Sequence, residues 1–389
     1  MPLGRQRRPR RQSAIPDQPR QLVHELLIQG LGGVVAQFQE ILERRPRQNV
    51  GEFARSHRRR RWGIRPPGRQ QGSRAMAKAS VFVLGSFVVS CSAKVSRFPR
   101  PGESLAADIV TIEPGGKGLN LAIAARRIGA EVDGVLAIGD DLAASFAAPA
   151  LERAGLPPAM SIRVAGKTGS GVGFTDAQGE TCLAIDPGAN RSLNAEHVRA
   201  AADRLAASDL VMAQFEIGDA PIREAFALAR QGGIATLLNP SPFRPIAPDI
   251  LADTHILVLN QTEAEALAAE ILPECADPAE PARFVAEWGP ALLARGPRLV
   301  VMTLGAAGAV ALSAEGAIGQ AALPVDPIDS LGAGDAFAAT LGVALARHWS
   351  TADALLHAAA AGAIATRRPG VFEALGTQAE IDQLIGMPR

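Results

Sequence analysis

Two glycine-rich turns decide the fold of this chain: Asp329-Ser330-Leu331-Gly332-Ala333-Gly334-Asp335 and, earlier, Gly115-Gly116-Lys117-Gly118-Leu119-Asn120. Each turn leads into a helical pattern. In the later turn the small residues leave backbone N–H groups unobstructed, and Asp335 stands in the first turn of an apolar helix predicted over 336–346. Donors for an anion and a carboxylate therefore share one helix start. Phosphoryl transfer to an alcohol needs this combination, because it requires donors for the developing charge and a base near the hydroxyl.

Charge is divided unevenly along the chain. Its 389 residues carry a net charge of +1, but residues 1–75 contain 17 arginines, no lysine and 5 acidic residues, so the remainder is acidic. This asymmetry predicts a basic, disordered extension on one large α/β domain over residues 76–389. We expect Met76 to be the functional start. The alternative is an arm that contacts nucleic-acid phosphates, which is disfavoured because few aromatic residues interleave the arginines.

The spacing of the cysteines and the hydropathy of the chain indicate the cellular compartment. Cys91, Cys182 and Cys275 lie far apart, without the spacing of a zinc site or a disulfide framework. No apolar run approaches the roughly 18 residues of a membrane span. We therefore expect a cytoplasmic protein with no membrane partner.

Short apolar runs alternate with helical segments. The runs that predict strands are 135–138, 210–212, 234–238, 256–259, 299–303 and 309–312. The helical segments are 120–128, 142–154, 195–206, 221–230, 262–269 and 281–295. Buried runs of this length between helices predict a parallel sheet covered on both faces, with ligands beyond the carboxyl ends of the strands. Two stretches, 87–113 and 169–183, break the alternation and predict β-hairpins.

From about residue 80 to 386 the chain resembles the ribokinase-like carbohydrate kinases, also called the PfkB family. The signatures D-[ST]-x-G-A-G-D and G-G-K-G-x-N are both present, at 329–335 and 115–120. The resemblance implies a three-layer α/β/α ribokinase-like sandwich with a mostly parallel central sheet, whose first strand is 81–86. It also implies a small β-sheet lid, built from the two hairpin stretches, which covers the sugar and forms a homodimer. The alternative for those stretches is a pair of ordinary surface hairpins.

The resemblance implies a catalytic and an acceptor-binding set. Asp335 would be the general base, and the N–H groups of Gly332, Ala333, Gly334 and Asp335 would form the anion hole. The alternative for Asp335 is a residue that only stabilises its helix dipole. Hydroxyls of the acceptor would be bound by Gly116, Lys117, Asn120 and Glu216.

A nucleotide and metal set follows from the same resemblance. Asn260 and Glu263 would arrange Mg²⁺ through water, although this spacing alone also fits a capping box. The backbone around Thr303, Gly305 and Gly308 would approach ATP. Adenine would lie between this region and the segment around His357, which could equally be an ordinary helix histidine. A monovalent cation, K⁺, would be held by Asp329, Leu331, Ala365, Arg368 and Gly370, although Pro369 and Ala374 depart from the ribokinase pattern there.

The first strand departs from the family. Ribokinases typically have the pattern G-S-x-N-x-D, and this chain has Val88 and Ser90 at the two polar positions. Val88 cannot hydrogen-bond a hydroxyl, which puts ribose itself in doubt. We expect an ATP-dependent, Mg²⁺-requiring kinase for a sugar hydroxyl, with a pentose such as ribose favoured. The alternatives are a kinase of the same fold for a nucleoside, fructose or a keto-deoxy sugar acid, or a non-catalytic sugar-binding regulator, which intact Asp335, Asn260 and Glu263 argue against.

Overall fold

Two β-sheets organise the computed structural model, which describes residues 78–178, 180–273 and 280–386. The predicted extension 1–75, Met76 and Cys275 lie outside these residues. The strands are β1 (Ser80–Ser86), β2 (Val88–Lys94), β3 (Ile109–Gly115), β4 (Glu131–Ile138), β5 (Ser161–Arg163), β6 (Gly169–Thr175), β7 (Thr181–Asp186), β8 (Leu210–Gln214), β9 (Ala235–Asn239), β10 (Ile256–Asn260), β11 (Leu299–Thr303), β12 (Ala309–Ser313) and β13 (Gly316–Gln320).

The central sheet has nine strands in the order β13-β12-β11-β10-β9-β8-β1-β4-β5. Every neighbouring pair from β11 to β5 is parallel, and only β12 and β13 run antiparallel to their neighbours. This mostly parallel sheet confirms the predicted fold class. The predicted apolar runs all fall in or overlap its strands.

Helices cover both faces of this sheet. They are α1 (Lys117–Arg127), α2 (Ala147–Ala154), α3 (Ala195–Arg199), α4 (Ala202–Ala206), α5 (Asp219–Gly232), α6 (Pro248–Ala252), α7 (Gln261–Ile271), α8 (Pro281–Arg283), α9 (Gly289–Leu293), α10 (Ala333–Ala346), α11 (Thr351–Ala365) and α12 (Gln378–Leu384). Val81 and Val83 of β1 belong to a core shared with α1 and α10, whereas the buried Phe82 and Leu84 face the other side, where α5 packs. The alternation within one strand therefore builds two cores.

Three predicted helices are not continuous. In the helix predicted over 142–154, residues Leu142–Phe146 form a 3₁₀ turn. In the helix predicted over 281–295, residues Phe284–Trp288 form a π turn. The helix predicted over 195–206 divides into α3 and α4. In the last predicted segment Pro290 has no N–H to donate to the preceding turn, which is consistent with the π turn at Phe284–Trp288 there. Two other helices begin three residues earlier than predicted, so that Lys117 and Ala333 are the first residues of α1 and α10.

The four remaining strands form a small sheet in the order β3-β2-β6-β7. Two antiparallel hairpins, β2–β3 and β6–β7, are joined by parallel pairing of β2 with β6. The two hairpin stretches therefore form one sheet rather than separate surface hairpins. Because β2 follows β1 after one residue and β3 ends one residue before α1, this sheet is covalently tied to the first glycine turn.

Parallel pairing brings the carboxyl ends of β1, β8, β9, β10 and β11 to one edge of the central sheet. Each of these otherwise apolar strands ends in a polar residue, and these are Ser86, Gln214, Asn239, Asn260 and Thr303. Within the described ranges, no helix is long and apolar enough to cross a membrane.

Candidate active site

The first glycine turn brings α1 against the end of β1. A Cβ on Gly118 would lie 2.2 Å from the backbone N of Ser86, and Gly116 has a φ of 98°, which side chains rarely adopt. Glycine at these two positions therefore permits the close crossing of strand and helix that places Lys117 and Asn120 at the sheet edge.

The second glycine turn places Asp335 in the first turn of α10. Gly332 precedes the helix with a φ of 75°, and Asp335 is 3% exposed. Its Oδ2 accepts a hydrogen bond from Asn120 Nδ2 at 2.7 Å, and its Oδ1 lies 3.6 Å from Lys117 Nζ. Two predicted residues of α1, Lys117 and Asn120, thus contact the carboxylate of a third that is 215 residues beyond Asn120 in the sequence.

The second oxygen of that carboxylate, Oδ1, contacts Lys117 but accepts no hydrogen bond from the described residues. Asp335 Oδ1 is buried and has no hydrogen-bond partner among the described residues. Buried polar atoms are nearly always satisfied, so an unpartnered one calls for an explanation. A hydroxyl that enters beside Lys117 would supply the missing bond.

Lys117 is the cationic centre of the cluster. Its pKa is raised, first by the Asp335 charge and further by the charges of Glu216 and Glu263, against the opposing effect of burial. The ammonium therefore stays protonated at neutral pH. It balances the carboxylates that converge on it.

Glu216 is fixed by backbone and side-chain donors. Its Oε2 accepts hydrogen bonds from Ser86 Oγ at 2.5 Å and from the Lys117 N–H at 2.9 Å, while its own N–H donates to Gln214 Oε1. Ser86 and Gln214 were missed in the sequence analysis. The signal that could have found them is the polar residue that ends each buried strand, β1 and β8.

The space in front of α10 is open. No side chain among the described residues caps this helix, and no atom lies within 4 Å of a Cβ placed on Gly334. The Ala333 N–H donates to the Ser330 carbonyl at 3.3 Å, so this predicted anion-hole donor is engaged in its own turn. The helix start retains the positive end of its dipole toward the open space.

Asn260 and Glu263 form a capping box at the start of α7. Asn260 Oδ1 accepts from the Glu263 N–H at 2.8 Å, and Glu263 Oε2 accepts from the Asn260 N–H at 2.9 Å. Burial raises the pKa of Glu263, partly opposed by hydrogen bonds from Asn260 and Ser241. The capping box that the sequence spacing also allowed is therefore present. It holds the Glu263 carboxylate near the edge of the sheet.

The turn after β11 carries the predicted nucleotide segment. Thr303 Oγ1 donates to the Leu259 carbonyl at 3.3 Å, and Gly305 and Gly308 have φ values of 56° and 99°. A Cβ on Gly308 would lie 2.0 Å from the Gln320 carbonyl oxygen, so this glycine is required by the β11–β12 turn itself.

His357 lies within α11. It is 2% exposed, its Nδ1 bonds the Asp353 carbonyl at 2.8 Å, and its ring packs edge-on against Trp349 with centroids 4.5 Å apart. Its Nε2 lies 4.0 Å from Asp382. An adenine could contact this ring only if the packing opened, so the expected contact stays a prediction that the geometry does not favour.

The predicted cation-binding residues meet where two loops are pinned together. Asp329 Oδ1 accepts from the Leu331 N–H and Oδ2 from the Gly370 N–H, each at 3.0 Å. Ala365 is buried at the end of α11. The Arg368 side chain is instead paired with Glu380 of α12, so only its backbone is free to face the loops.

Glu216 also forms part of the wall of a cavity of about 350 Å³ between the small sheet and the sheet edge. Its remaining lining residues are Ile185, Pro187, Arg191, Phe215, Ile217, Gly218, Pro242 and Arg244. The Arg244 guanidinium is occupied by Asp219 and by the carbonyls of Phe215 and Ile217. Among the charged lining residues, Arg191 is exposed at the rim.

Comparison with known proteins agrees with this geometry. The model of the pfkB family carbohydrate kinases matches residues 78–377. A ribokinase of Mus musculus is 30% identical over 273 residues, covering 69% of this chain and 82% of the relative. A ribokinase of Staphylococcus aureus (strain COL) is 31% identical over 259 residues, covering 66% and 83%.

A solved structure gives the same result. The crystal structure of a ribokinase from Thermotoga maritima matches with a TM-score of 0.70 and 27% identity, and the match covers 79% of this chain and 99% of that chain. Sequence and fold therefore agree over the region that holds both glycine turns. The chain belongs to the pfkB family of carbohydrate kinases and is an ATP-dependent carbohydrate kinase with a ribokinase-like fold.

Proposed function

We propose that this kinase transfers the γ-phosphoryl group of ATP to a primary hydroxyl of a pentose such as ribose, with Asp335 as the general base. The observation that carries the proposal is the buried Oδ1 of Asp335, which is ion-paired with Lys117 at 3.6 Å but accepts no hydrogen bond from the described residues. An acceptor hydroxyl placed there donates its hydrogen bond to Oδ1 and gives up its proton as it attacks the phosphorus.

The surrounding residues divide the remaining work. Asn120 holds Oδ2 so that Oδ1 faces the acceptor, and Lys117 balances the charge of the carboxylate. Glu216 and the backbone at Gly116 bind other hydroxyls of the sugar. The N–H groups of Gly332, Gly334 and Asp335 at the start of α10 stabilise the charge on the moving phosphoryl group, and the Ala333 N–H joins them only if it leaves the Ser330 carbonyl. The small sheet acts as a lid that keeps water out.

The nucleotide and its metal ion would approach the start of α10 from the side of Glu263, whose charge interacts with those of Lys117 and Asp335. Mg²⁺ prefers oxygen ligands and keeps several waters, which suits the Asn260 amide and the Glu263 carboxylate as residues that hold its water shell. When bound there, Mg²⁺ would neutralise charge on the phosphates of ATP. The backbone at Thr303, Gly305 and Gly308 holds ATP, with adenine toward the segment around His357. Replacement of Glu263 by Gln should raise the Mg²⁺ concentration needed for half-maximal rate, and an unchanged requirement would remove Glu263 from this role.

A monovalent cation would stabilise the two loops pinned by Asp329. Leu331, Ala365, Arg368 and Gly370 would offer backbone carbonyls, and Asp329 the negative charge. We expect K⁺ to raise the rate above that in Na⁺. Equal rates in the two salts after full dialysis would contradict this role.

The small sheet also exposes large apolar side chains, which supports a homodimer formed through the lid. Those residues, between 43% and 57% exposed, are Ile109, Val110, Ile112, Val172, Leu183 and Ile185. Cys91 and Cys182 of the same sheet are unpaired, in keeping with a reducing, cytoplasmic compartment.

ATP consumption by the full-length protein tests the proposal, with Mg²⁺ and K⁺ present and with ribose, deoxyribose, fructose, nucleosides and keto-deoxy sugar acids as acceptors. We expect ribose or deoxyribose to raise turnover far above background. No stimulation by any acceptor would refute the proposed function.

The cavity beside Glu216 favours a second candidate. Because Glu216, an acceptor-binding residue in this proposal, lines the cavity, a nucleoside, fructose or a keto-deoxy sugar acid bound at Glu216 would find room there that a pentose leaves empty. Val88 and Ser90 favour the same change of acceptor. Stimulation by one of these larger acceptors, without stimulation by ribose, would select this candidate.

A further inference from the structure

A closed ring of hydrogen bonds supports Glu216 from below. Ser86 Oγ donates to Glu216 Oε2 at 2.5 Å, the Glu216 N–H donates to Gln214 Oε1, and Gln214 Nε2 donates back to Ser86 Oγ at 2.9 Å. Ser86 and Gln214 are both 0% exposed. The ring joins the ends of two neighbouring parallel strands, β1 and β8, to the loop that carries the carboxylate.

The ring is also bonded to the start of α1. Ser86 Oγ accepts from the Gly118 N–H at 3.1 Å, and Glu216 Oε2 accepts from the Lys117 N–H at 2.9 Å. No local side chain among the described residues caps this helix, so these two distant side chains bond its first N–H groups. The Glu216 charge then lies at the positive end of the α1 dipole.

Hydrogen-bond counting shows what remains for a ligand. The Ser86 hydroxyl donates once and accepts twice, which is its full capacity. Oε2 of Glu216 already accepts two bonds, so Oε1 is the oxygen with free capacity. The ring therefore fixes both the position of the carboxylate and the oxygen that it presents.

We propose that Ser86 and Gln214 are positioning residues that set the affinity for the phosphoryl acceptor by holding Glu216 with Oε1 toward it. This inference rests on the proposed function, because it takes Glu216 as an acceptor-binding residue. Neither positioning residue bonds Asp335, whose carboxylate is contacted by the side chains of Asn120 and Lys117 and not by the backbone N–H groups that the ring bonds. Loss of the ring should therefore weaken acceptor binding and leave the chemical step nearly intact.

The test compares Ser86→Ala and Gln214→Leu with the parent enzyme in the full-length chain. We expect the KM for the acceptor to rise about tenfold or more, as for a lost hydrogen bond to a charged group. The kcat and the KM for ATP should change by less than about threefold, which is the pattern of lost uniform binding. A fall in kcat as large as the rise in KM would overturn the positioning role.

A mutant cycle separates positioning from general destabilisation. In a Glu216→Ala background, Ser86→Ala should leave the acceptor KM unchanged, because the residue it positions is absent. An equal rise in KM with and without Glu216 would overturn the proposal. Thr340→Val is the control for loss of a buried hydroxyl outside the ring, since the Thr340 hydroxyl is buried in α10 without a hydrogen-bond partner among the described residues. It should leave the acceptor KM unchanged.

Amide hydrogen exchange measures whether the ring protects the Lys117 and Gly118 N–H groups, and it does not depend on catalytic activity. In Ser86→Ala the Lys117 and Gly118 amides should exchange faster than in the parent, and in Thr340→Val they should not. Unchanged exchange in Ser86→Ala would overturn the proposal. If the parent phosphorylates no acceptor, the proposed function fails, and exchange at these amides still decides whether the ring holds the start of α1.

Discussion

Replacement of Asp335 by Asn is the most direct perturbation of the reaction. Oδ2 is bonded to the Asn120 amide at 2.7 Å, so the new amide oxygen should keep that bond. The new NH₂ group then replaces Oδ1, the buried oxygen that faces Lys117. A proton donor therefore stands where the acceptor hydroxyl needs a proton acceptor.

The size of the effect follows from the loss of general-base catalysis. Such a base contributes about 10² to 10⁴ in rate, or about 3 to 5 kcal/mol of barrier. We expect kcat of Asp335→Asn to fall by this factor in a protein that still folds, with a lowered melting temperature because the Lys117 ammonium loses its counter-charge. The assay is coupled ADP release at saturating ATP and acceptor, together with thermal unfolding by circular dichroism.

Asp353→Asn is the matched control. Asp353 is also the third residue of its helix, α11, but it is exposed and bonded to Ser350 of its own cap. If Asp335 only stabilised a helix dipole, both variants would lose up to about 1 kcal/mol of stability and keep their activity. A kcat within about threefold of the parent in folded Asp335→Asn would refute the reasoning.

Three further predictions concern glycine and histidine positions. Gly334→Ala should leave stability equal or raised by about 1 kcal/mol, because alanine favours the helix and the added Cβ meets no atom within 4 Å outside its own helix. The kcat/KM for ATP should fall, because in the proposed function that space receives the phosphoryl group. Unchanged ATP kinetics would contradict this. Gly118→Ala should lower the free energy of unfolding in urea by about 3 kcal/mol or more, since its Cβ would lie 2.2 Å from the backbone nitrogen of Ser86. The control Gly218→Ala, whose Cβ meets no atom within 4 Å, should cost under about 1 kcal/mol. Equal effects would refute the close crossing of β1 and α1. Burial, with the nearby Arg298 charge, lowers the pKa of His255 from 6.5 to about 4, so the unfolded chain takes up a proton first as the pH falls below 6.5. Stability should then fall by up to about 3 kcal/mol between pH 6.5 and 4, less in His255→Gln, and equal pH slopes in the two proteins would count against this assignment.

Local patterns determined much of this protein from sequence alone. The short apolar runs predicted the strands of the central sheet because a strand buried on both faces needs a continuous apolar sequence. The two glycine turns predicted helix starts at the site, and the structure begins α1 and α10 there. The family itself followed from those two motifs, since each depends on residues adjacent in the chain.

Helix continuity was harder to predict because it depends on individual residues within a favourable composition. The segment 281–295 has helix-forming residues throughout, yet Pro290 lacks the N–H that a continuous helix needs. His357 shows the same limit for a site residue. The sequence alone did not show that the His357 ring packs edge-on against Trp349, and the adenine contact expected there stays a prediction.

Only the tertiary structure decided how the active-site groups are paired. Asn120 and Asp335 bond across 215 residues of sequence, and Ser86 bonds Glu216 across 130. These contacts exist because the strand order places β1 beside β8 and packs α1 beside α10. A sequence motif specifies which chemical groups are available, since that depends on neighbours in the chain. Which oxygen of Asp335 or Glu216 stays free depends on donors that arrive from distant segments, and only the folded sheet brings those donors within hydrogen-bond distance.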